Sequence, residues 1–325
     1  MDVLSDVLHH LPVRGTVTGE CELRAPWGFV VPKQDHAFFH IISRGGCYLV
    51  RDGDVLSLSP GDLVLVPHGG SHSLVDEPTR DAVRLDALVR AESTVTQRGC
   101  RRFVGGSEGV TTTIICGHFS FAPGGDLLRT HLPELIHLRT LDDPAVSWLE
   151  QSLRAISREA RSEEPGAQMA VDRLVDLLFV QALRAWLRPL PPEARPGWLG
   201  GLADAKLAEA LRLLHEAPAN PWTVDALGRA VGMSRSGFAA RFAKLVGEPP
   251  LRYLMRWRMT LAAQRLRVDP SVSVGEVARS VGYESEAAFT TIFKRYHDAP
   301  PASWRRQHAQ TSVPQRPRTH RALHR

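Results

Sequence analysis

The sequence predicts a multidomain α+β protein: a β-rich barrel in the N-terminal half, a helical connector, and an all-α C-terminal domain with two helix-turn-helix units. Three observations predict it. One pattern occurs twice near the C-terminus, short apolar runs at even spacing fill residues 15–121, and a helical apolar period takes over after residue 141.

The repeat is the most specific of the three. Its first copy reads Thr223-Val224-Asp225-Ala226-Leu227, then Ala230-Val231-Gly232-Met233-Ser234, then Phe238, Phe242 and Pro249-Pro250. The second reads Ser273-Val274-Gly275-Glu276-Val277, then Ser280-Val281-Gly282-Tyr283, then Phe289, Phe293 and Pro300-Pro301. Val224/Val274 and Gly232/Gly282 stand 50 apart, but Phe238/Phe289, Phe242/Phe293 and the Pro-Pro pairs stand 51 apart. The second turn therefore carries one extra residue.

Each copy has a mechanical reading. Thr223 and Ser273 are predicted N-caps, their hydroxyls accepting from free first-turn amides. Val224, Leu227 and Val231, and Val274, Val277 and Val281, give a short helix with one buried face. Gly232 and Gly282 supply the left-handed residue that ends it. Ser234 and Ser285 restart a second helix, whose Phe pairs at i, i+4 point into the core. Such a pair of helices is the unit that DNA-binding proteins place in the major groove. An ordinary helical hairpin repeat is the alternative, and the short helices, basic surface and paired Gly turns speak against it.

Leu251 to Val268 reads as one helix between the copies, apolar at Leu251, Leu254, Met255, Met259, Leu261, Ala262 and Leu266, with five arginines interspersed. Eighteen residues span about 27 Å, against roughly 34 Å for a duplex turn. The shortfall implies DNA bending or imperfect entry of one unit.

The stretch from about Leu202 to Arg306 resembles the two-unit DNA-binding domain of AraC/XylS-family transcription regulators. Val277 to Ser285, Phe289, Phe293-Lys294-Arg295 and Pro300-Pro301 carry the resemblance most specifically. It implies that Arg235, Ser236, Ala239 and Ala240, and Glu286, Ala287, Thr290 and Thr291, face the bases. Relatives commonly carry a long basic side chain where this chain has Ala240 and Thr291. Ala and Thr offer a methyl or one hydroxyl instead of a bidentate guanine contact, so base reading is expected to be narrower. Arg241, Lys244, Lys294 and Arg295, with Arg235, are the expected phosphate contacts.

Charge is divided along the chain. Residues 202–325 hold 20 Lys and Arg against 10 Asp and Glu, +10 in a chain of net charge +5, which leaves −5 for residues 1–201. One half only is suited to a polyanion. No run approaches 18 uncharged apolar residues, so no membrane span is expected. The N-terminus lacks a secretory pattern, which points to the cytoplasm. Cys21, Cys47, Cys100 and Cys116, without a C-x-x-C pair, read as reduced and mostly buried thiols.

From Gly15 to Phe121, runs such as Phe38–Ile42, Cys47–Val50, Leu63–Val66, Leu85–Val89 and Thr112–Ile115 alternate with turns, the pattern of a sandwich or small barrel. Gly61, Pro67, Gly69 and His72 form a G-x5-P-x-G-x2-H string. This string resembles the second motif of cupin barrels. With Cys21 to Gly28 and Cys116 to Phe119, the region looks like the cupin sensor of one branch of AraC-type regulators. The H-x-H-then-Glu order of metal-binding cupins is absent, although His36 and His40 lie upstream and His68 and His118 elsewhere. His40, His72 and Cys116 are the candidate effector or metal residues, their donor types suiting zinc or another borderline transition metal. The alternative is a barrel without metal.

The connector, 141–187, opens at Pro144 and carries two apolar stripes, Trp148 to Ile156 and Val171 to Trp186, broken at Ser162–Gly166. The width of the second stripe points to a homodimer, with packing on the chain's own barrel as the alternative. Residues 188–201 read as an extended Pro-rich linker, with the sensor domain at 1–140 before the connector. The DNA-binding domain is placed at 202–307, opening with a helix over Asp204–Glu216, and a disordered basic tail at 308–325. The expected function is a sequence-specific transcription regulator, not an enzyme, that binds double-stranded DNA under the control of a small-molecule or metal effector, with RNA polymerase as a further partner. A metal-dependent cupin enzyme with a DNA-binding appendage and a non-specific DNA binder are the rival readings.

Overall fold

The computed structural model describes residues 2–85, 93–95, 101–105, 109–122, 126–139 and 147–309. Strand Leu85–Val89, Cys100, Pro144 and the tail beyond 309 lie wholly or mainly outside these residues. Two compact units emerge. One holds residues 12–122 and 128–195; the other holds 1–11, 123–127 and 196–325.

The first unit is built on two sheets. Strands are β1 (Val13–Arg24), β2 (Gly28–Val31), β3 (Ala37–Arg44), β4 (Cys47–Arg51), β5 (Asp54–Leu58), β6 (Leu63–Val66), β7 (His72–Val75), β8 (Val83–Arg84), β9 (Ser93–Val95), β10 (Arg101–Gly105), β11 (Thr111–Phe121) and β12 (Ile136–Leu138). A seven-stranded sheet runs β12-β6-β3-β11-β1-β10-β9, and a five-stranded sheet runs β5-β4-β7-β2-β8. Alternate residues of each strand point inward, so Leu23, Phe29, Ile42, Leu49, Val64, Val66, Leu74 and Ile114 share one apolar core between the sheets. This is the double-sheet barrel that the evenly spaced apolar runs predict.

The connector helices α3 (Ser147–Arg161) and α4 (Ala167–Leu187) follow a short helix α2 (Asp126–Arg129). Helix α4 lies against β1 at a position with no side chain: a Cβ on Gly15 would stand 2.3 Å from Val175 Cγ1. The Gly15 amide donates to Asp176 Oδ1 at 2.8 Å, and Phe179 meets Phe119 at 5.1 Å between ring centroids. Helix α3 is held by an ion pair from Arg161 to Glu20 on β1. Much of the broad apolar stripe is thus covered by the chain's own sheet.

The second unit contains α1 (Val3–His10), α5 (Trp198–Gly201), α6 (Ala205–Glu216), α7 (Val224–Ala230), α8 (Arg235–Val246), α9 (Pro250–Val268), α10 (Val274–Ser280), α11 (Glu286–His297) and α12 (Pro301–Ala309). The caps are those predicted. Thr223 Oγ1 accepts from Ala226 N at 3.0 Å, and Ser273 with Glu276 forms a full capping box. Ser234 and Ser285 cap α8 and α11 in the same way. Gly232 and Gly282 have φ of +66° and +86°, the left-handed region where a Cβ is costly. Phe238, Phe242, Phe289 and Phe293 are fully buried.

Two segments differ from the sequence reading. The linker is not extended through residue 201: Pro192–Ala194 forms a 3-10 turn, and α5 buries Trp198, whose indole donates to Leu127 O at 3.0 Å. A Trp-Leu pair drives this burial more strongly than the nearby prolines oppose it. The first eleven residues belong to the helical unit, not to the sheets. Helix α1 buries Val3, Leu4 and Val7 and delivers Asp6 to His215. There His215 Nδ1 donates to Asp6 at 2.7 Å, and the Tyr253 hydroxyl donates to His215 Nε2 at 2.7 Å. His215 stacks on Trp257 at 4.2 Å, and His10 meets the same indole edge-on at 5.5 Å.

Burial opposes ionisation of Asp6, but hydrogen bonds from His10 and His215 hold its carboxyl well below the ordinary 3.8. A carboxyl depressed on folding contributes stability above its unfolded pKa and loses it as pH falls through and below that value. Acidification below about pH 4 is therefore expected to release α1, read as lost amide-exchange protection at residues 3–10. Asp6→Asn should weaken the same protection at neutral pH by on the order of 2 kcal/mol and flatten the acid response. Full protection in the variant would show that the apolar face alone holds α1.

Candidate DNA interface and sensor centre

The recognition surface is built from α8 and α11. A buried Phe at i and i+4 pins the inner face of each helix, which leaves the opposite face in solvent. On α8, Arg235, Ser236 and Ala240 are exposed and Ala239 is half-buried. On α11, Glu286, Ala287 and Thr291 are exposed and Thr290 is half-buried. All eight base-facing candidates therefore sit on or beside a solvent face. Two have local engagements. The Thr291 hydroxyl donates to Ala287 O at 3.0 Å, and the Glu286 carboxylate leans over α10, 2.8 Å from where a Cβ on Gly275 would lie.

The basic residues divide. Lys244, Lys294 and Arg295 are exposed at the outer edges of their helices. Arg241 is not a free cation: it ion-pairs with Asp204, the N-cap of α6, whose side chain is 7% exposed. Its position beside Asp204 was invisible in the repeat, because Asp204 lies outside it. Lys206, which sequence reasoning also missed, donates to Gly232 O at 3.0 Å and holds the first turn.

The sensor candidates meet inside the first unit. His40 on β3 is directly opposite Cys116 on β11, and β1 brings Cys21 two residues beyond Gly19, the partner of Cys116. His72 faces them from β7 in the other sheet. His40 Nδ1 is 3.3 Å from Cys116 Sγ, His40 Nε2 is 2.7 Å from His72 Nε2, and His72 Nδ1 is 2.9 Å from Gly70 O. Cys21 lies with Cys116 in the same buried cluster.

A carbonyl only accepts, so His72 Nδ1 must donate to Gly70, and the rest follows. His40 Nε2 donates to His72 Nε2, and Cys116 donates to His40 Nδ1. Both imidazoles have a partner at each ring nitrogen. Burial holds both imidazoles below their ordinary 6.5, with the neighbouring His72 adding to the effect at His40. Contact with Cys21, then burial, pushes the Cys116 thiol up, and burial pushes Cys47 up to about 12. Cys21, Cys47 and Cys116 are all free and buried, as expected of reduced thiols.

The donor types suit zinc, but their arrangement does not. His40 offers its two nitrogens to neighbours on opposite sides of the ring, and among the described residues no three such groups surround a common point. The effector or metal candidates His40, His72 and Cys116 form a hydrogen-bonded string. The remaining imidazoles lie apart from it: His36 and His118 pair at 4.5 Å, and His68 bonds to Leu132 O at 2.9 Å.

Comparison with known proteins completes the picture. A family model described as Cupin matches residues 2–188, and a helix-turn-helix domain model matches residues 227–307. A protein of Streptomyces antibioticus named as an AraC-like transcription regulator is 35% identical over 94% of this chain and 99% of its own length. The chain belongs to the AraC family. A similarly named protein of Streptomyces lividans is 34% identical over 94% of this chain and 98% of its own. The regulator AlkR of Acinetobacter baylyi is 28% identical over 94% and 100%. The chain is thus a DNA-binding transcription regulator with an N-terminal cupin-type domain, and not an enzyme. Among the described residues no helix is long and apolar enough to cross a membrane.

Lys294→Ala is expected to weaken DNA binding on all sequences and to reduce the slope of log affinity against log salt by about one. Arg241→Ala should instead strip Asp204 of its cation and lower stability by about 1 kcal/mol, with little change in salt slope. A salt slope reduced as much by Arg241→Ala would return Arg241 to the phosphate contacts.

Proposed function

We propose that this regulator reads double-stranded DNA sequence-specifically through the solvent faces of α8 and α11, under control of a small-molecule effector acting at the His72–His40–Cys116 string. The observation that carries the sensor assignment is the alternation of β1. Cys21 points into the buried cluster that also holds Cys116, while the adjacent Glu20 makes the ion pair with Arg161 on α3. A ligand that breaks or caps the string displaces β1, and the connector helices feel the displacement. Its effect is bounded by its differential affinity for the two arrangements.

The connector also supports a homodimer. Ala155 on α3 and Ala170, Leu174 and Leu177 on α4 line a shallow apolar groove, with Leu177 at 48% and nearby Met169 at 66% exposure. The occupant proposed is the same surface of a second copy, in the cytoplasm, with RNA polymerase as the downstream partner on DNA.

Selection from a random duplex pool tests the specific reading. The protein should enrich one motif and bind it about a thousandfold more tightly than random DNA. Equal affinity for motif and random duplex would favour a non-specific binder. Ser236→Ala and Thr290→Ala should each alter preference at particular base positions, by roughly 1–3 kcal/mol. His72→Ala should leave motif affinity intact but change expression of a motif-driven reporter; an unchanged reporter would remove the string as sensor. Light scattering should give twice 35.9 kDa, falling to the monomer in Leu177→Arg. A monomeric wild type at micromolar concentration would sink the dimer.

A further inference from the structure

The two turn glycines look equivalent in sequence, yet their surroundings differ. A Cβ on Gly232 would meet only Lys206 Nζ, at 4.0 Å. A Cβ on Gly282 would stand 2.6 Å from Ala219 O, 3.0 Å from Ala219 Cα and 2.9 Å from Arg258 Nη2. Ala219 lies in the loop between α6 and α7, just ahead of the first helix-turn-helix. The turn of the second helix-turn-helix is therefore seated directly on that loop.

Arg258, at the middle of α9, ties the junction together. Its Nε donates to Pro218 O at 2.6 Å and its Nη2 to Asn220 O at 2.8 Å, both in that loop. On its other side the guanidinium lies 5.8 Å from the ring centroid of Tyr283, the residue after Gly282. The planar fork matches two carbonyls and a ring face at once, which a lysine ammonium cannot do. Half-buried there, the group has its pKa lowered by the loss of water, so it persists by virtue of these partners. Each helix-turn-helix packs on its own half of α9, Phe242 against Tyr253 in one and Phe289 and Phe293 with Met259, Ala262 and Leu266 in the other, and the junction adds a direct tie between them.

We propose that Arg258 is a positioning residue for DNA recognition: by locking the second turn onto the loop ahead of the first helix-turn-helix, it fixes α8 and α11 as one ruler that accepts operators with a single half-site spacing. It need not touch DNA to do so. One inserted base pair turns a half-site by roughly 35° and shifts it about 3.4 Å, which a rigid ruler cannot follow.

The test starts from the duplex that the wild type selects from a random pool, remade with one base pair inserted or removed between the half-sites. Wild type should lose at least about tenfold in affinity on either change. Arg258→Ala should bind the parent duplex more weakly but lose only two- to threefold on respacing. Arg258→Lys should fall between, keeping one carbonyl bond. Gly282→Ala should relax spacing in the same way, and Gly232→Ala should not. Spin labels on encoded amino acids at positions 240 and 291 provide a readout free of DNA: one narrow distance in wild type, a broad distribution in Arg258→Ala. Matching thermal unfolding of the variants excludes simple misfolding. A spacing penalty and a label distance both unchanged in Arg258→Ala would overturn the proposal, as would equal loss on every spacing.

Discussion

A buried imidazole must find partners for both ring nitrogens, and this constraint shapes the interior of each unit. In the sheet unit His40 is satisfied by His72 on one side and Cys116 on the other. In the helical unit His215 is satisfied by Asp6 and Tyr253. In each case the partners come from segments far apart in the chain, so the imidazole fixes how those segments register. Replacing one member leaves the next unpaired in low dielectric, which costs more than the hydrogen bond is worth in water. Such strings are expensive ways to fill a core. In the function proposed above, the string in the sheet unit, beside a strand whose other face is held by the connector, is where sensing occurs.

Local features were legible in the sequence. Caps, left-handed glycines and Phe pairs are decided within a turn or two, so the spacing of Thr223, Gly232 and Phe238 and of Ser273, Gly282 and Phe289 located four helices closely. The alternating strands were legible for the same reason. The string was partly legible: His40, His72 and Cys116 stood out as donor types, but Cys21 comes into the cluster of Cys116 only through the β1–β11 register. Nor could spacing reveal that His40 would face its partners from opposite sides, which turns a plausible chelate into a relay.

What was not legible shares one cause. Asp6 with His215, Asp204 with Arg241, and Arg258 with Pro218 and Asn220 are all pairings across sequence separations that no periodicity encodes. Arg241 illustrates the consequence. A basic residue on an exposed helix face reads as a phosphate contact, and only tertiary structure shows that a carboxylate already occupies it. The absence of long basic side chains at Ala240 and Thr291 stands out more against this background, since it leaves Arg235 as the long basic side chain among the eight candidates on α8 and α11.

Helix α1 has a practical bearing on how the molecule can be divided. Domain dissection guided by the proline-rich segment would begin a DNA-binding fragment near Pro196 and discard the first eleven residues. That fragment would lose Asp6 and the cover over Trp257, exposing an indole and leaving His215 with a single partner. A soluble and faithful fragment would need the N-terminal helix restored, for example as a fused peptide. Residues 1–11 and 196–325 thus form one compact unit, with the residues of the sheet unit between them in sequence.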